Sequence, residues 1–177
     1  MASSTIIPVS EYLATSYRPD CDYVDGQVKE RNVGEQPHAG IQALLARIFG
    51  NHLREWHIRV FTEQRVQTSS EHFRIPDVCV VRKSEPAGAI VQTAPLICIE
   101  ILSRNDTLLE LQQRVDDYVA LGVENIWIID PLGRRAYLAS NKGFQEIANG
   151  ELVVAGTPIH ISLAELFADL DEMLAQG

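Results

Sequence analysis

The sequence has 177 residues, of which 46% are hydrophobic and 22% are charged. These proportions are typical of a folded globular protein and argue against a disordered chain, while no apolar run approaches the roughly 20 residues that cross a bilayer. The formal net charge of −9 argues against an extended basic surface for nucleic acid, so any such binding needs locally concentrated positive charge or a metal ion.

The length indicates the number of domains, and the cysteines indicate the cellular compartment. We expect one domain over residues 1–177, without an internal linker, because this length suits a single hydrophobic core. The three cysteines, Cys21, Cys79 and Cys98, show no CxxC spacing, and the last two lie in apolar runs where a free thiol behaves as a small hydrophobe. A cytoplasmic location fits this pattern best.

The first third of the chain is predicted to form a short helix, a hairpin, a long helix and a strand. Ser10 is a suitable N-cap for a helix that ends before Pro19, and Asp25-Gly26 marks a tight turn between two short strands. Apolar residues recur at helical spacing from about Pro37 to Trp56. Residues 58–68 alternate as a half-exposed strand does.

Two apolar runs in the middle of the sequence each contain one carboxylate. Asp77 lies within residues 74–81 and Glu100 within residues 94–103. Continuous apolar runs of this length are typical of strands that are buried on both faces. Burying an ionised carboxylate is costly unless a partner, a hydrogen-bond network or a metal ion compensates for it. Two such residues on neighbouring strands therefore suggest a site for a divalent cation.

The remaining elements complete an α/β pattern. We predict a helix over residues 108–121 that ends at Gly122, a buried strand over 123–131, three shorter antiparallel strands, and a closing amphipathic helix over 162–174 with Ser162 as N-cap. The predicted fold class is α/β, with a mixed central sheet flanked by helices and additional antiparallel hairpins.

The order of these elements resembles the restriction-endonuclease-like PD-(D/E)XK superfamily. More narrowly, the chain resembles the Uma-two family, a large bacterial group of short endonuclease-like proteins classed as a domain of unknown function. The resemblance covers roughly residues 8–168. It is carried by the segments YVDGQV, PHAGIQALLARI, RIPDVCVV, IEILS and RVDDYVALGVENIWIIDP.

The resemblance implies a metal-dependent endonuclease that hydrolyses DNA phosphodiester bonds. Asp77 and Glu100 would hold one or two Mg²⁺ or Mn²⁺ ions together with the main-chain carbonyl of Ile101, and these ions would activate a water molecule. DNA would be the substrate, no membrane partner is expected, and a homodimer follows by analogy, because such enzymes often use two sites to cut two strands.

One position departs from the superfamily pattern. A lysine is expected two residues after the glutamate, but this position is Leu102. In the resembled family the lysine commonly lies on the following helix, four residues before a tyrosine, and the matching residue is Arg114 before Tyr118. An arginine can bind a phosphate, but it stays protonated and is therefore a poor general base. The alternative function is a catalytically impaired nuclease fold that serves as a binding or scaffold module.

The candidate residues also have structural interpretations. Asp77 could be a strand-end carboxylate that accepts hydrogen bonds from the main chain. Arg114 could form an exposed ion pair with Glu110 or Asp117 at helical spacing. His38, at the start of the long helix, could be a further catalytic residue or an exposed helix-start side chain.

Two glutamates are weaker candidates for the same site. Glu35 precedes the long helix close to His38. Glu63 belongs to the strand expected beside Asp77, where alternation allows it to face either the site or solvent.

Overall fold

The computed structural model describes residues 6–32 and 34–175. Within these two ranges, no helix is long and apolar enough to cross a membrane. The helices are α1 (Val9–Ala14), α2 (Gln36–Asn51), α3 (Leu108–Leu121) and α4 (Leu163–Leu174).

The strands are short, with two to six residues each. They are β1 (Asp22–Val24), β2 (Gln27–Lys29), β3 (Ile58–Thr62), β4 (Val66–Gln67), β5 (His72–Arg74), β6 (Val78–Arg82), β7 (Ile97–Ile101), β8 (Asn125–Asp130), β9 (Arg135–Ser140), β10 (Gly143–Glu146), β11 (Glu151–Val153) and β12 (His160–Ser162).

A mixed six-stranded sheet forms the centre of the fold, in the order β10-β9-β8-β7-β6-β3. Strands β7 and β8 are parallel, and the other neighbours are antiparallel. A four-stranded antiparallel sheet (β2-β1-β5-β4) and the hairpin β11-β12 complete the strands. This architecture confirms the predicted fold class.

The two faces of the central sheet are covered by different helices. Side chains alternate along each strand, so Ile99 and Trp127 pack with α2 and α4 on one face. On the opposite face, Cys98 and Ile128 pack against the apolar side of α3, which includes Tyr118. Glu100 lies two residues after Cys98 in β7 and therefore points toward α3.

Several local predictions are confirmed. Asp25 and Gly26 form a two-residue hairpin turn with φ angles of 49° and 83°, which short polar residues and glycine tolerate. Gly122 ends α3 with φ of 100°. Ser162 caps α4 by accepting a hydrogen bond from the Glu165 amide.

Two predicted helix boundaries are wrong. Helix α2 ends at Asn51, and the chain reverses through turns that end at His57 with φ of 51°. Trp56 still packs on Phe49, since these turns return it to the core, which explains why the apolar spacing continued past the helix. The first helix begins at Val9 after Pro8, and Ser10 lies inside it.

The predicted strand over residues 58–68 is divided between two sheets. Strand β3 ends at Thr62, Glu63 has φ of 51°, and β4 then pairs within the four-stranded sheet. Alternation continues across the break, so it did not reveal that the chain changes sheets. The sequence prediction also missed β12, which pairs with β11.

Candidate functional site

Asp77 lies between β5 and β6, where the chain passes from the four-stranded to the six-stranded sheet. Its side chain is 5% exposed. The Ile101 amide donates a hydrogen bond to Asp77 Oδ2 at 2.6 Å. Arg31 Nη2 donates to Oδ1 at 2.6 Å, and His38 Nε2 lies 3.4 Å from Oδ2. The main-chain hydrogen bond expected for a strand-end carboxylate is therefore present, together with two side-chain partners.

Glu100 lies in β7 and has a side chain that is 1% exposed. Both of its oxygens have partners on α3. Arg114 Nη1 donates to Oε2 at 3.0 Å, and the Tyr118 hydroxyl donates to Oε1 at 2.6 Å. Residues 114 and 118 are one helical turn apart, so α3 presents both side chains to the same carboxylate.

Arg31 joins the two carboxylates. Its Nη2 atom lies 2.6 Å from Asp77 Oδ1 and 4.0 Å from Glu100 Oε2, and its side chain is 13% exposed. The sequence prediction did not include Arg31. It follows β2 in a polar segment, 46 positions from its main partner, and neither periodicity nor resemblance marks it.

Further charges surround this pair. Asp22 accepts a hydrogen bond from Arg74 Nη1 at 3.0 Å and another from the Ile75 amide. Asp106 Oδ1 lies 3.5 Å from Arg114 Nη2, and Arg114 Nε lies 4.0 Å from Asp22 Oδ2. The predicted alternative for Arg114, a pair with Glu110 or Asp117, is therefore wrong.

The charges of this cluster do not balance. Its four carboxylates face three arginines, one of which, Arg74, also pairs with Asp117, so the carboxylates outnumber the arginines. The carboxylates are Asp22, Asp77, Glu100 and Asp106, and the arginines are Arg31, Arg74 and Arg114.

Asp117 belongs to a neighbouring network behind the cluster. It accepts a hydrogen bond from Arg74 Nε at 2.6 Å and lies 2.9 Å from His72 Nδ1. The other ring nitrogen of His72 lies 3.1 Å from Asp25 Oδ1. Arg74 connects this network to Asp22.

The remaining predicted residues lie around Asp77 in different ways. His38 is buried in the first turn of α2, whereas a helix-start histidine is more often exposed. Glu35 contacts the exposed Arg104 at 3.1 Å. Glu63 is exposed, although its amide donates to the Asp77 carbonyl at 3.3 Å. Gln42, which the sequence did not indicate, also donates to that carbonyl at 3.0 Å.

Leu102 occupies the position of the superfamily lysine. It is partly buried against the apolar cluster beneath α3. Residues 100 and 102 lie on the same side of an extended chain, so this leucine adds apolar surface beside Glu100 where a lysine would add charge. The positive charge at Glu100 comes from Arg114.

The two carboxylates differ in proton affinity. Burial raises the pKa of Asp77, but the His38 ring, the Arg31 guanidinium and the Ile101 amide outweigh burial, so its pKa lies below the ordinary value. Burial raises the pKa of Glu100, Arg114 lowers it, and the Asp77 charge raises it, with a net shift upward. Burial lowers the pKa of His38, but contact with Asp77 outweighs this and raises it. Asp77 is therefore the stronger anion of the pair.

A cleft of about 180 Å³ reaches the site from the surface. Its lining includes Asp20, Arg31, His38, Gln42, Glu63 and Asp77. A smaller depression next to it is lined in part by Arg31, Asp77, Ile101 and Arg114. Small molecules and ions can therefore reach Asp77 and Arg31 from outside.

The donor atoms suit a hard divalent cation. In the part of the chain that the structure describes, no group of three or more His, Cys, Asp or Glu side chains is placed to hold a metal ion. Mg²⁺ commonly binds through one or two carboxylates and keeps several water ligands. A cationic group, the Arg31 guanidinium, already lies between Asp77 and Glu100, so these oxygens converge on a position of positive charge.

The fold is the one that the resemblance to restriction-endonuclease-like proteins implied. The Uma2 family, described as "Putative restriction endonuclease", matches residues 9–163. The chain belongs to this family, and the resemblance found from the sequence is confirmed.

One solved structure shows the same fold. A crystal structure described as a "putative nuclease belonging to DUF820" from Anabaena variabilis has a TM-score of 0.78 at 21% identity, covering 93% of this chain and 99% of that one. The cryo-EM structure of a DrdV–DNA complex has a TM-score of 0.44 at 16% identity, covering 79% of this chain and 12% of that one. No curated protein matches the sequence.

Proposed function

We propose that this protein is a metal-dependent endonuclease that hydrolyses DNA phosphodiester bonds at Asp77 and Glu100. The observation that carries the proposal is the convergence of these two buried carboxylates on a single cationic group, at 2.6 and 4.0 Å. Membership of a family described as "Putative restriction endonuclease" supports the reaction class. The proposal treats residues 1–177 as one functional unit.

Asp77, Glu100 and the main-chain carbonyl of Ile101 would hold Mg²⁺ or Mn²⁺ in this proposal. When bound, such an ion supplies an activated water molecule and neutralises charge that develops on the phosphate. The protein's part is to hold the carboxylates in place. The Ile101 amide fixes Asp77 Oδ2, and the Tyr118 hydroxyl fixes Glu100 Oε1.

Arg114 would take the place of the superfamily lysine as a group that binds charge. Its guanidinium donates to Glu100 at 3.0 Å and lowers the pKa of that carboxyl, which burial raises. Because an arginine stays protonated, it would stabilise phosphate charge and would not remove a proton from water. His38, which lines the cleft beside Asp77, would be the residue that exchanges a proton with the reacting groups.

A second candidate function is a binding or scaffold module without turnover. Leu102 at the lysine position favours it, because the residue beside Glu100 is apolar. DNA is the proposed substrate of the nuclease, and a homodimer is proposed by analogy with enzymes that cut two strands. Light scattering after gel filtration measures the dimer directly.

The decisive experiment is cleavage of plasmid and single-stranded DNA with Mg²⁺ or Mn²⁺. We expect Glu100→Gln to lower the rate more than about a hundredfold, because metal-ion stabilisation of a transition state is worth several kcal/mol. Glu110→Gln is the matched control. Glu110 is an exposed carboxylate on the same helix as Arg114 that accepts a hydrogen bond from Thr107, and its variant should cleave like the wild type.

Arg114→Lys separates the two candidate functions. Cleavage by the wild type supports the nuclease and makes Arg114 a working substitute for lysine. If the wild type is silent and Arg114→Lys cleaves, the protein is the non-catalytic module. If neither the wild type nor Arg114→Lys cleaves DNA although both are correctly folded, the nuclease proposal is overturned.

A further inference from the structure

The Arg31 guanidinium lies between the two carboxylates that are proposed to hold the metal ion. Its Nη2 atom donates to Asp77 Oδ1 at 2.6 Å and lies 4.0 Å from Glu100 Oε2. Mg²⁺ binds oxygen at about 2.1 Å, so an ion on Asp77 Oδ1 would lie no more than about 5 Å from Nη2. At that distance in a largely buried site, a divalent cation and a guanidinium repel each other strongly.

Arg31 is also the least anchored arginine of the cluster. Its hydrogen bond to Asp77 uses Nη2, while its Nε is buried without a hydrogen-bond partner among the described residues. Arg74 binds two carboxylates through Nε and Nη1. Arg114 donates to Glu100 and Asp106 through different nitrogens. Releasing Arg31 therefore breaks fewer contacts than releasing either of the other two.

Space for the released side chain is present. Arg31 lines the cleft of about 180 Å³ that opens beside Asp77. A guanidinium that turns into this cleft reaches water, where its buried and unpartnered Nε can be hydrated. Exchange of Arg31 for a metal ion therefore moves an arginine with few contacts to solvent and brings a cation of higher charge to the carboxylates.

We propose that Arg31 is an internal counter-cation that competes with the divalent metal ion for Asp77 and Glu100, so that metal binding is an exchange in which the guanidinium leaves Asp77. The inference rests on the proposed metal site. It adds that Arg31 stabilises the metal-free protein and weakens metal binding. The metal affinity of this chain is then set by an arginine that does not coordinate metal.

Binding of Mn²⁺ alone tests the exchange, measured by the loss of the free-ion signal in electron paramagnetic resonance. We expect Arg31→Met to bind Mn²⁺ about tenfold more tightly than the wild type, or more, which is within the usual range of coupling between two ligands. Arg104→Met is the matched control, because Arg104 is 67% exposed and pairs with Glu35. Its affinity should equal that of the wild type.

Thermal unfolding gives a readout that is independent of cleavage. In metal-free buffer, Arg31→Met should melt at a lower temperature than the wild type, because Asp77 and Glu100 lose their shared cation. Saturating Mn²⁺ should raise its melting temperature by more than that of the wild type. An arginine with a merely structural role would lower the melting temperature without enlarging the response to Mn²⁺.

The outcomes separate this inference from the proposed nuclease. Tighter Mn²⁺ binding supports the exchange even if no variant cleaves DNA. Equal or weaker binding in Arg31→Met overturns the exchange while the metal site stands. Absence of Mn²⁺ binding in every variant overturns both. Should Arg31→Met fail to fold, Arg31→Gln, which can still donate to Asp77, provides the same comparison.

Discussion

The two faces of the central sheet are built from the same strands but differ in kind. Toward α2 and α4, side chains such as Ile99 and Trp127 are apolar and fully buried. Toward α3, Glu100 in β7 meets Arg114 and Tyr118, and the ion-pair cluster extends from there to Asp77. One strand therefore contributes both to an apolar core and to a buried polar site, through residues that are adjacent in sequence.

The two faces of the sheet contribute differently to the stability of the fold. Burial of apolar surface is the dominant favourable term in folding, and the buried strand residues on the α2/α4 face are all apolar. Buried ion pairs contribute weakly to stability, since desolvation offsets their attraction. The charged cluster on the α3 face is therefore expected to contribute less to the stability of the fold than the apolar face does.

The largest expected effect is the loss of a core side chain from the apolar face. Trp127→Ala should lower the free energy of unfolding by about 3–5 kcal/mol, because it removes a fully buried aromatic ring and leaves a cavity. Urea denaturation measures this. Leu138, directly opposite Trp127 on β9 but 43% exposed, provides the control, and Leu138→Ala should change stability by less than about 1 kcal/mol.

On the polar face, the stability should depend on whether each buried charge keeps its ion-pair partner, and not on the side-chain volume that a substitution removes. Arg114→Met should lower the free energy of unfolding by about 3 kcal/mol near pH 7, since it leaves Glu100 buried with one of its charge partners removed. The loss should shrink as the pH falls, because protonation of Glu100, whose pKa is already raised, removes the unpaired charge. Urea titrations at several pH values measure both effects.

The double variant Glu100→Gln/Arg114→Met is the control for this interpretation. With both charges removed, most of the stability should return, because no unpaired buried charge is left. A double variant as unstable as Arg114→Met would mean that the arginine acts through packing, and the distinction between the two faces would fail.

The smallest expected effect on stability comes from His72, in the network that Asp117 forms behind the site, and it depends on pH. Burial lowers the pKa of His72, but Asp117 and Asp25 outweigh burial and raise it above the ordinary value. The stabilisation of the fold by the protonated His72 ring is therefore complete below the unfolded pKa of about 6.5. It is lost as the pH rises through the higher pKa of His72 in the folded protein.

His72→Gln tests this dependence. We expect it to cost about 0.5–1 kcal/mol at about pH 5.5 and less above about pH 8, since only the protonated ring forms ion pairs. His160→Gln is the control, because His160 is exposed and its ring lies 3.0 Å from the Pro158 carbonyl. A constant cost for His72→Gln across pH would contradict a charged His72.

Much of the fold followed from the sequence because its signals are local. Alternation and apolar runs predicted the central strands, and the turn at Asp25-Gly26 and the end of α3 at Gly122 follow from backbone conformations that few residues adopt. The break at Glu63 did not follow. A chain that leaves one sheet and joins another keeps its alternation of apolar and polar residues. The strand with which each half pairs decides where the break falls, and that strand is distant in sequence.

The residues of the site that the sequence predicted directly are the carboxylates that lie in apolar runs. Asp77 and Glu100 stood out as single carboxylates in apolar runs, whereas Arg114 was found through the family resemblance. Arg31 gave no signal, because its significance comes from contact with a residue 46 positions away. The metal-binding roles of the acidic pair and of the Ile101 carbonyl stay predictions.

The place where the chain changes sheets has a mechanical consequence. Asp77 lies between β5 of the small sheet and β6 of the central sheet, and its carbonyl accepts a hydrogen bond from Glu63 at the other crossing. Glu100 belongs to the central sheet alone. A change in the angle between the sheets therefore moves one carboxylate relative to the other.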